Sequence, residues 1–195
     1  MKQLILASLA AALLAGCTTT YVSPVEVTRF VGAAPSQLGS GQLAVQPAPG
    51  QEPASWGYAA LHAAVSEKLQ RLGYNLTGDM AQQVAELSVT QATDRPGRGR
   101  SPVSVGVGGS TGGYGSGVGA GIGIDLSPRP GPVTDTELRV VIRPSGGGAA
   151  LWEGRARFAA SANSRYSDPR AAAARLAEAL FSGFPGRSGE TIEVR

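Results

Sequence analysis

The sequence predicts an α+β fold: a mostly antiparallel sheet with two helices on one face and a long Gly-rich hairpin or loop as an insert. Three observations carry this. Residues 85–90, 136–143 and 152–158 alternate apolar and polar side chains, the period of a strand with one face on a core and one in water. Two other stretches switch to a helical period. Between them, 10 of the 18 residues from Gly106 to Gly123 are glycine, a composition found nowhere else in the chain.

The elements follow in order. Val25-Glu26-Val27-Thr28-Arg29-Phe30-Val31 is β-branched and partly alternating, a first strand. Residues 42–46 alternate until Pro47 and Pro49 stop them, giving a second. From Ser55 to Leu72 an apolar stripe of Leu61, Val65, Leu69 and Leu72 marks a helix with one buried face. Ser55 is its expected cap, Glu67 and Arg71 an i, i+4 pair, and Gly73 the left-handed residue beyond its end. The alternating strand at 85–90 precedes the insert, residues 95–133. The strands at 136–143 and 152–158 then flank a Ser145–Gly148 turn and form a hairpin. Asp168-Pro169 is a cap followed by proline at the first helical position, and this helix runs through Leu176, Leu180 and Phe181 to Gly183, with Pro185 beyond. Its Ala172, Ala173 and Ala177 allow close approach to a sheet. Residues 191–194 form a last strand. Helices separated in this way by runs of strands belong on one face of the sheet.

The insert is more than a glycine linker. Val103, Val105 and Val107, then Val118, Ala120, Ile122 and Ile124, recur at every second position, so two extended arms can pair around Gly112-Gly113-Tyr114-Gly115. Each glycine in an extended arm costs roughly 0.5–1 kcal/mol relative to alanine, so such a hairpin does not hold itself together alone. It is either a mobile loop or an arm covered by the domain, another copy, a partner or lipid. Tyr114, Val105, Val107, Ile122 and Ile124 are therefore candidate contact residues. Arg95, Arg98, Arg100 and Arg129 flank the hairpin base, where guanidiniums can meet lipid phosphates, an acidic polymer or simply water.

The amino terminus carries an address. Met1-Lys2-Gln3 and the apolar run of 12 residues from Leu4 to Ala15 match the first two regions of a secretory signal. The run is too short to span a bilayer, which takes about 20 residues. Leu14-Ala15-Gly16-Cys17 resembles the bacterial lipobox, which implies cleavage between Gly16 and Cys17 and acylation of Cys17. The expected organisation is a signal at 1–16, a lipidated tether at 17–24 and one domain at 25–195. The expected place is the outer membrane, facing the periplasm, with the membrane as a partner through Cys17. Losing residues 1–16 removes one cation, Lys2, and leaves 16 Arg and Lys against 14 Asp and Glu. A nearly neutral exported chain gives no reason to expect nucleic acid.

Other chemistry is poorly supplied. One Cys, one His and two Lys leave no stock for a zinc site, an internal disulfide or a phosphate-binding lysine loop, and no cofactor or metal is expected. Gly108-Gly109-Ser110-Thr111-Gly112 has the G-x-S-x-G pattern of a nucleophile elbow, but no helix follows it and a glycine run produces such matches by chance. His62 reads as a half-exposed helix residue. Trp56, Trp152, Tyr58 and Tyr74 read as core or core-edge residues.

Several motifs together resemble the bacterial lipoprotein family with domain of unknown function 4136. They are the lipobox ending in Cys17, Val25-Glu26-Val27-Thr28-Arg29-Phe30, Ser101-Pro102-Val103, Leu151-Trp152-Glu153-Gly154-Arg155-Ala156 and Leu180-Phe181-Ser182-Gly183-Phe184-Pro185-Gly186. The resemblance implies a small α+β periplasmic domain on a lipid anchor, without catalytic residues to carry over. The function expected is a non-enzymatic interaction or structural module, its partner an unknown envelope protein or a second copy. The alternatives are an oligomeric membrane-inserting or pore-forming lipoprotein that uses the glycine hairpin, and an envelope hydrolase using Ser110.

Overall fold

A computed structural model describes residues 20–78, 80–94 and 131–195, and the backbone of two strands, Val103–Ser110 and Gly117–Ile124. In chain order the strands are β1 (Val25–Val31), β2 (Gly41–Pro47), β3 (Tyr74–Leu76), β4 (Gln83–Asp94), β5 (Val103–Ser110), β6 (Gly117–Ile124), β7 (Val133–Pro144), β8 (Trp152–Ser161) and β9 (Glu190–Val194). The helices are α1 (Tyr58–Arg71) and α2 (Pro169–Phe181).

The fold is α+β. Seven strands form one sheet in the order β3-β2-β4-β7-β8-β1-β9, mostly antiparallel. The parallel pairs are β2–β3 and β2–β4, and they follow from α1, which carries the chain back across the sheet after β2. Helix α2 does the same after β8, but β1 lies between β8 and β9, antiparallel to both. Each helix is thus a crossover, and the two pack against each other on the core side of the sheet.

The predicted alternation is what buries the core. Leu138, Val140 and Ile142 of β7, Trp152, Ala156 and Phe158 of β8, and Ala85 and Leu87 of β4 are all buried, facing Leu61, Val65 and Leu69 of α1 and Leu176, Ala177 and Leu180 of α2. The opposite face holds ion pairs: Glu86 with Arg143 at 3.1 Å, Arg139 with Glu153 at 2.9 Å, and Arg155 with Glu153 at 2.8 Å.

Three details differ from the sequence reading. Helix α1 starts at Tyr58 behind Gly57, which takes a left-handed conformation (φ 72°) and supplies no side-chain cap. Ser55 instead sits in the preceding turn, its hydroxyl accepting from Gln51 Nε2 at 2.7 Å. Trp56, placed in that exposed turn, is 41% exposed and not part of the core, whereas Trp152, Tyr58 and Tyr74 are buried. The strand β3, of three residues, is too short to show a period. The expected cap at Asp168 is present, its carboxylate accepting from the backbone N–H groups of Arg170 and Ala171, both at 2.9 Å. Gly73 takes the left-handed conformation (φ 106°) after α1, and the Glu67–Arg71 pair is formed.

The chain divides into two compact units, one holding residues 20–94 and 132–195, the other the insert. Within the insert, β5 and β6 form an antiparallel two-stranded sheet.

Candidate functional site

Gly16, Cys17, Tyr114, Arg95, Arg98, Arg100 and Arg129 lie outside the described residues. Val105 and Val107 fall on β5, Ile122 and Ile124 on β6. The register sets Val103 opposite Ile124, Val105 opposite Ile122 and Val107 opposite Ala120, while Gly106 and Gly108 oppose Gly121 and Gly119. Directly opposed residues of an antiparallel pair share a face, so the alternation in sequence becomes one mainly apolar row and one row of glycine and serine. Ser110 ends β5, and the next element is another strand rather than the helix a nucleophile elbow requires.

Elsewhere, three of the distant sequence motifs meet in space. Arg29 occupies an inward position of β1, in phase with the buried Val25 and Val27, and is 4% exposed. Its guanidinium donates to the carbonyl oxygens of Leu180 (3.0 Å), Ala179 (3.1 Å) and Ser182 (2.7 Å), the end of α2 where carbonyls have no helical partner. Burial lowers its pKa and the Glu190 charge opposes that shift. Beside it, Trp152 stacks on Phe181 at 5.6 Å, tilts against Phe184 at 5.1 Å and donates from Nε1 to the Pro185 carbonyl at 2.9 Å. Gly154 makes room for that indole, because a Cβ there would stand 2.2 Å from Trp152 Cη2 and 2.8 Å from Leu180 Cδ1. Gly186 does the same for Arg29, whose Cδ lies 2.8 Å from where its Cβ would be, and its φ of 78° also favours glycine. The Val-Glu-Val-Thr-Arg-Phe, Trp-Glu-Gly and Phe-Pro-Gly segments therefore close one structural joint between β1, β8 and the end of α2. Arg29 Nε and Nη2 and Trp152 Nε1 all donate within it.

A groove of about 370 Å³ runs between α2 and the β1–β9 edge, floored by Val25, Ala171, Ala174, Ala179 and Val194. Arg165 and Arg175 bracket the Tyr166 ring at 4.7 and 4.6 Å, and Arg175 also lies 5.1 Å from the Phe158 ring. Arg165 donates to the Tyr166 hydroxyl at 2.6 Å, the main reason this phenol is held below its ordinary pKa. Arg175 donates to the Ser23 carbonyl at 2.9 Å, tying the leader to α2. Glu178, at the rim, pairs with Lys68 of α1. The groove combines apolar floor and basic rim, and sequence reasoning missed it because 165–166 and 175 have no recognisable spacing. Arg29 was findable, since the parity of β1 points it inward.

No group of three or more His, Cys, Asp or Glu fit to hold a metal ion exists among the described residues. His62 is half-buried on α1, its ring 6.1 Å from that of Tyr58. No helix among the described residues is long and apolar enough to cross a membrane.

A comparison with protein families finds none that matches the chain. An uncharacterized protein from Zymomonas mobilis subsp. mobilis is 54% identical over 46 residues, 24% of this chain, and the chain spans only 17% of that protein's length. Among solved structures, a PDZ domain protein from Parabacteroides distasonis ATCC 8503 is similar with a TM-score of 0.51 and 11% identity, over 96% of this chain and 42% of that one. This is a likeness of fold alone. The PelC dodecamer from Paraburkholderia phytofirmans superposes at a TM-score of 0.44 with 12% identity, over 84% of this chain and 99% of that one.

Proposed function

We propose that the protein is a lipid-anchored lipoprotein of the bacterial cell envelope, facing the periplasm from the outer membrane, and that it works as a non-enzymatic interaction module. The resemblance to domain of unknown function 4136 belongs to the same reading. The observation that carries the contact role is the β5–β6 register, which opposes valine to isoleucine or alanine at three of the four pairs of one row, the fourth being Gly109 with Val118, and sets only glycine and serine along the other. A two-stranded ribbon with one apolar row is marginal alone and gains by covering that row with another surface. The partner is an envelope protein or a second copy of the chain. A membrane-spanning arm takes about 9–11 residues per strand. Among the described residues the strands β5 and β6 have 8 each, and the contact reading is the one proposed.

Two measurements test it. Cys17→Ala should abolish fatty-acid labelling and membrane association. A photo-crosslinker in place of Tyr114 should trap a discrete neighbour in cells. A correctly folded protein that takes the fatty-acid label yet yields no crosslinked species would reject the contact role while leaving the anchor standing.

A further inference from the structure

The amino-terminal leader, both ends of the insert and two exposed aromatic side chains converge on one end of the large sheet. Tyr21 and Ser161 are joined by hydrogen bonds in both directions, Tyr21 N–H to Ser161 Oγ at 3.0 Å and Ser161 N–H to the Tyr21 carbonyl at 2.9 Å. Val22 forms a bridge with Ala160. Ser161 opposes Val133, and Val133 opposes Asp94, so the chain leaves the sheet at Asp94 and returns at Pro132 on this same end. Trp56 lies here too, over a small depression shared with Thr93, Thr134, Ser161 and Ser167. Tyr21 is 53% and Trp56 41% exposed.

We infer that this end of the sheet, through Tyr21 and Trp56, rests on the lipid surface. The inference depends on the lipid-anchor reading and adds an orientation to it. Four residue steps separate Cys17 from Tyr21, and an extended chain covers at most about 3.6 Å per residue, so an acylated Cys17 holds Tyr21 within about 14 Å of the glycerol level. The opposite ends of β4 and β7, at Gln83 and Pro144, lie 11 residue steps further along strands that rise about 3.3 Å each, roughly 36 Å away. Hydrophobic exposure alone does not choose between the ends, because Phe30 and Met80 are exposed at the far one. The tether chooses. It brings down the end that carries a tyrosine and a tryptophan, the two side chains whose apolar body and polar tip suit the headgroup level. Charges of both signs stand near this end, Asp94 and Asp135 on the sheet and Arg175 on the Ser23 carbonyl, so no single sign of charge marks it and Tyr21 and Trp56 carry the contact.

The chain has two tryptophans, Trp152 is fully buried, and the difference between wild type and Trp56→Phe isolates the emission of Trp56. The full-length acylated protein, extracted from membranes, is returned to vesicles of phosphatidylethanolamine with a minor fraction of phosphatidylglycerol. One set of vesicles carries bromine high in the acyl chains. The expected result is a blue-shifted Trp56 signal that is quenched in the brominated set. Equal Trp56 emission in both sets, from protein that carries fatty acid and floats with the vesicles, overturns the orientation and leaves the anchor intact. Protein purified without any fatty acid overturns both.

Discussion

At the scale of single residues, Gly154 and Glu153 are neighbours with opposite duties. Gly154 exists for a shape: its missing Cβ is the space in which the Trp152 indole crosses the strand. Gly154→Ala forces overpacking in a filled core and should cost about 1–3 kcal/mol, lowering the Tm by roughly 2–12 °C. Gly146→Ala, in a loop with nothing within 4 Å of the added carbon, should stay within about 0.5 kcal/mol of wild type in the same melts. Glu153 points the other way, into the ion pairs of the open face. Hydrogen bonding from the Arg139 guanidinium holds its carboxyl below the ordinary glutamate value, helped by Arg155 and opposed by burial. Its contribution is therefore present above the ordinary glutamate pKa and is lost as pH falls through the depressed one. The guanidiniums are 41% and 49% exposed, which limits the effect to about 1 kcal/mol or less. Glu153→Gln should lose less Tm than wild type between about pH 6 and pH 3, and an unchanged acid slope would show that the carboxylate contributes nothing. The two tryptophans show how far one residue can be read from sequence. Trp152 sits on an alternating strand whose parity fixes it inward, whereas Trp56 sits in a turn, where no period points a side chain anywhere.

At the scale of elements, the two helix starts make a matched pair. Asp168 caps α2 with two accepted hydrogen bonds, so Asp168→Ala should cost about 1 kcal/mol in urea denaturation. Ser55→Ala should cost less than half of that, because its hydroxyl accepts from a glutamine side chain and leaves the helix donors alone. Equal losses would return Ser55 to the role its sequence position suggests. The reason for the difference is steric and local. Gly57 adopts a left-handed conformation directly before the helix, its carbonyl accepting the first helical hydrogen bond from Leu61, and a Ser-Trp-Gly string does not announce which of its members will turn. Periodicity was a sound guide for β1, β4, β7, β8 and both helices, since each has a wet and a dry face. It had nothing to say about β3, which is three residues long, or about the direction of β2, which depends on where α1 returns the chain. The candidate contact site was legible as an alternation, and the register of β5 and β6 gives that alternation a partner for each residue. The joint around Arg29 was legible only as separate words of sequence, because its members are up to 157 positions apart, from Arg29 to Gly186.

For the whole molecule, the pairing of the large sheet is complete within its own strands. The β4–β7 ladder runs without interruption from Gln83 opposite Pro144 to Asp94 opposite Val133, so its register is specified by the residues of these two strands, with one face buried, and needs no pairing inside the insert. Replacing residues 95–132 by a two-residue Asn-Gly turn, which joins the paired Asp94 and Val133, should leave a folded sheet whose Tm lies within a few degrees of wild type, since loop length alone changes closure entropy slowly. Collapse of the shortened chain, seen as loss of near-ultraviolet circular dichroism, would mean that the insert supports the sheet. A related consequence lies in the strand order. The first strand of the domain is wedged between two of the last, β8 and β9, so residues 25–31 have no neighbours to bond until more than a hundred later residues exist. A growing chain must carry its opening segment loose through nearly the whole of its synthesis. The stretch nearest the membrane tether is then among the last to find its place, and closing that seam is the slow, topologically distant step of assembly.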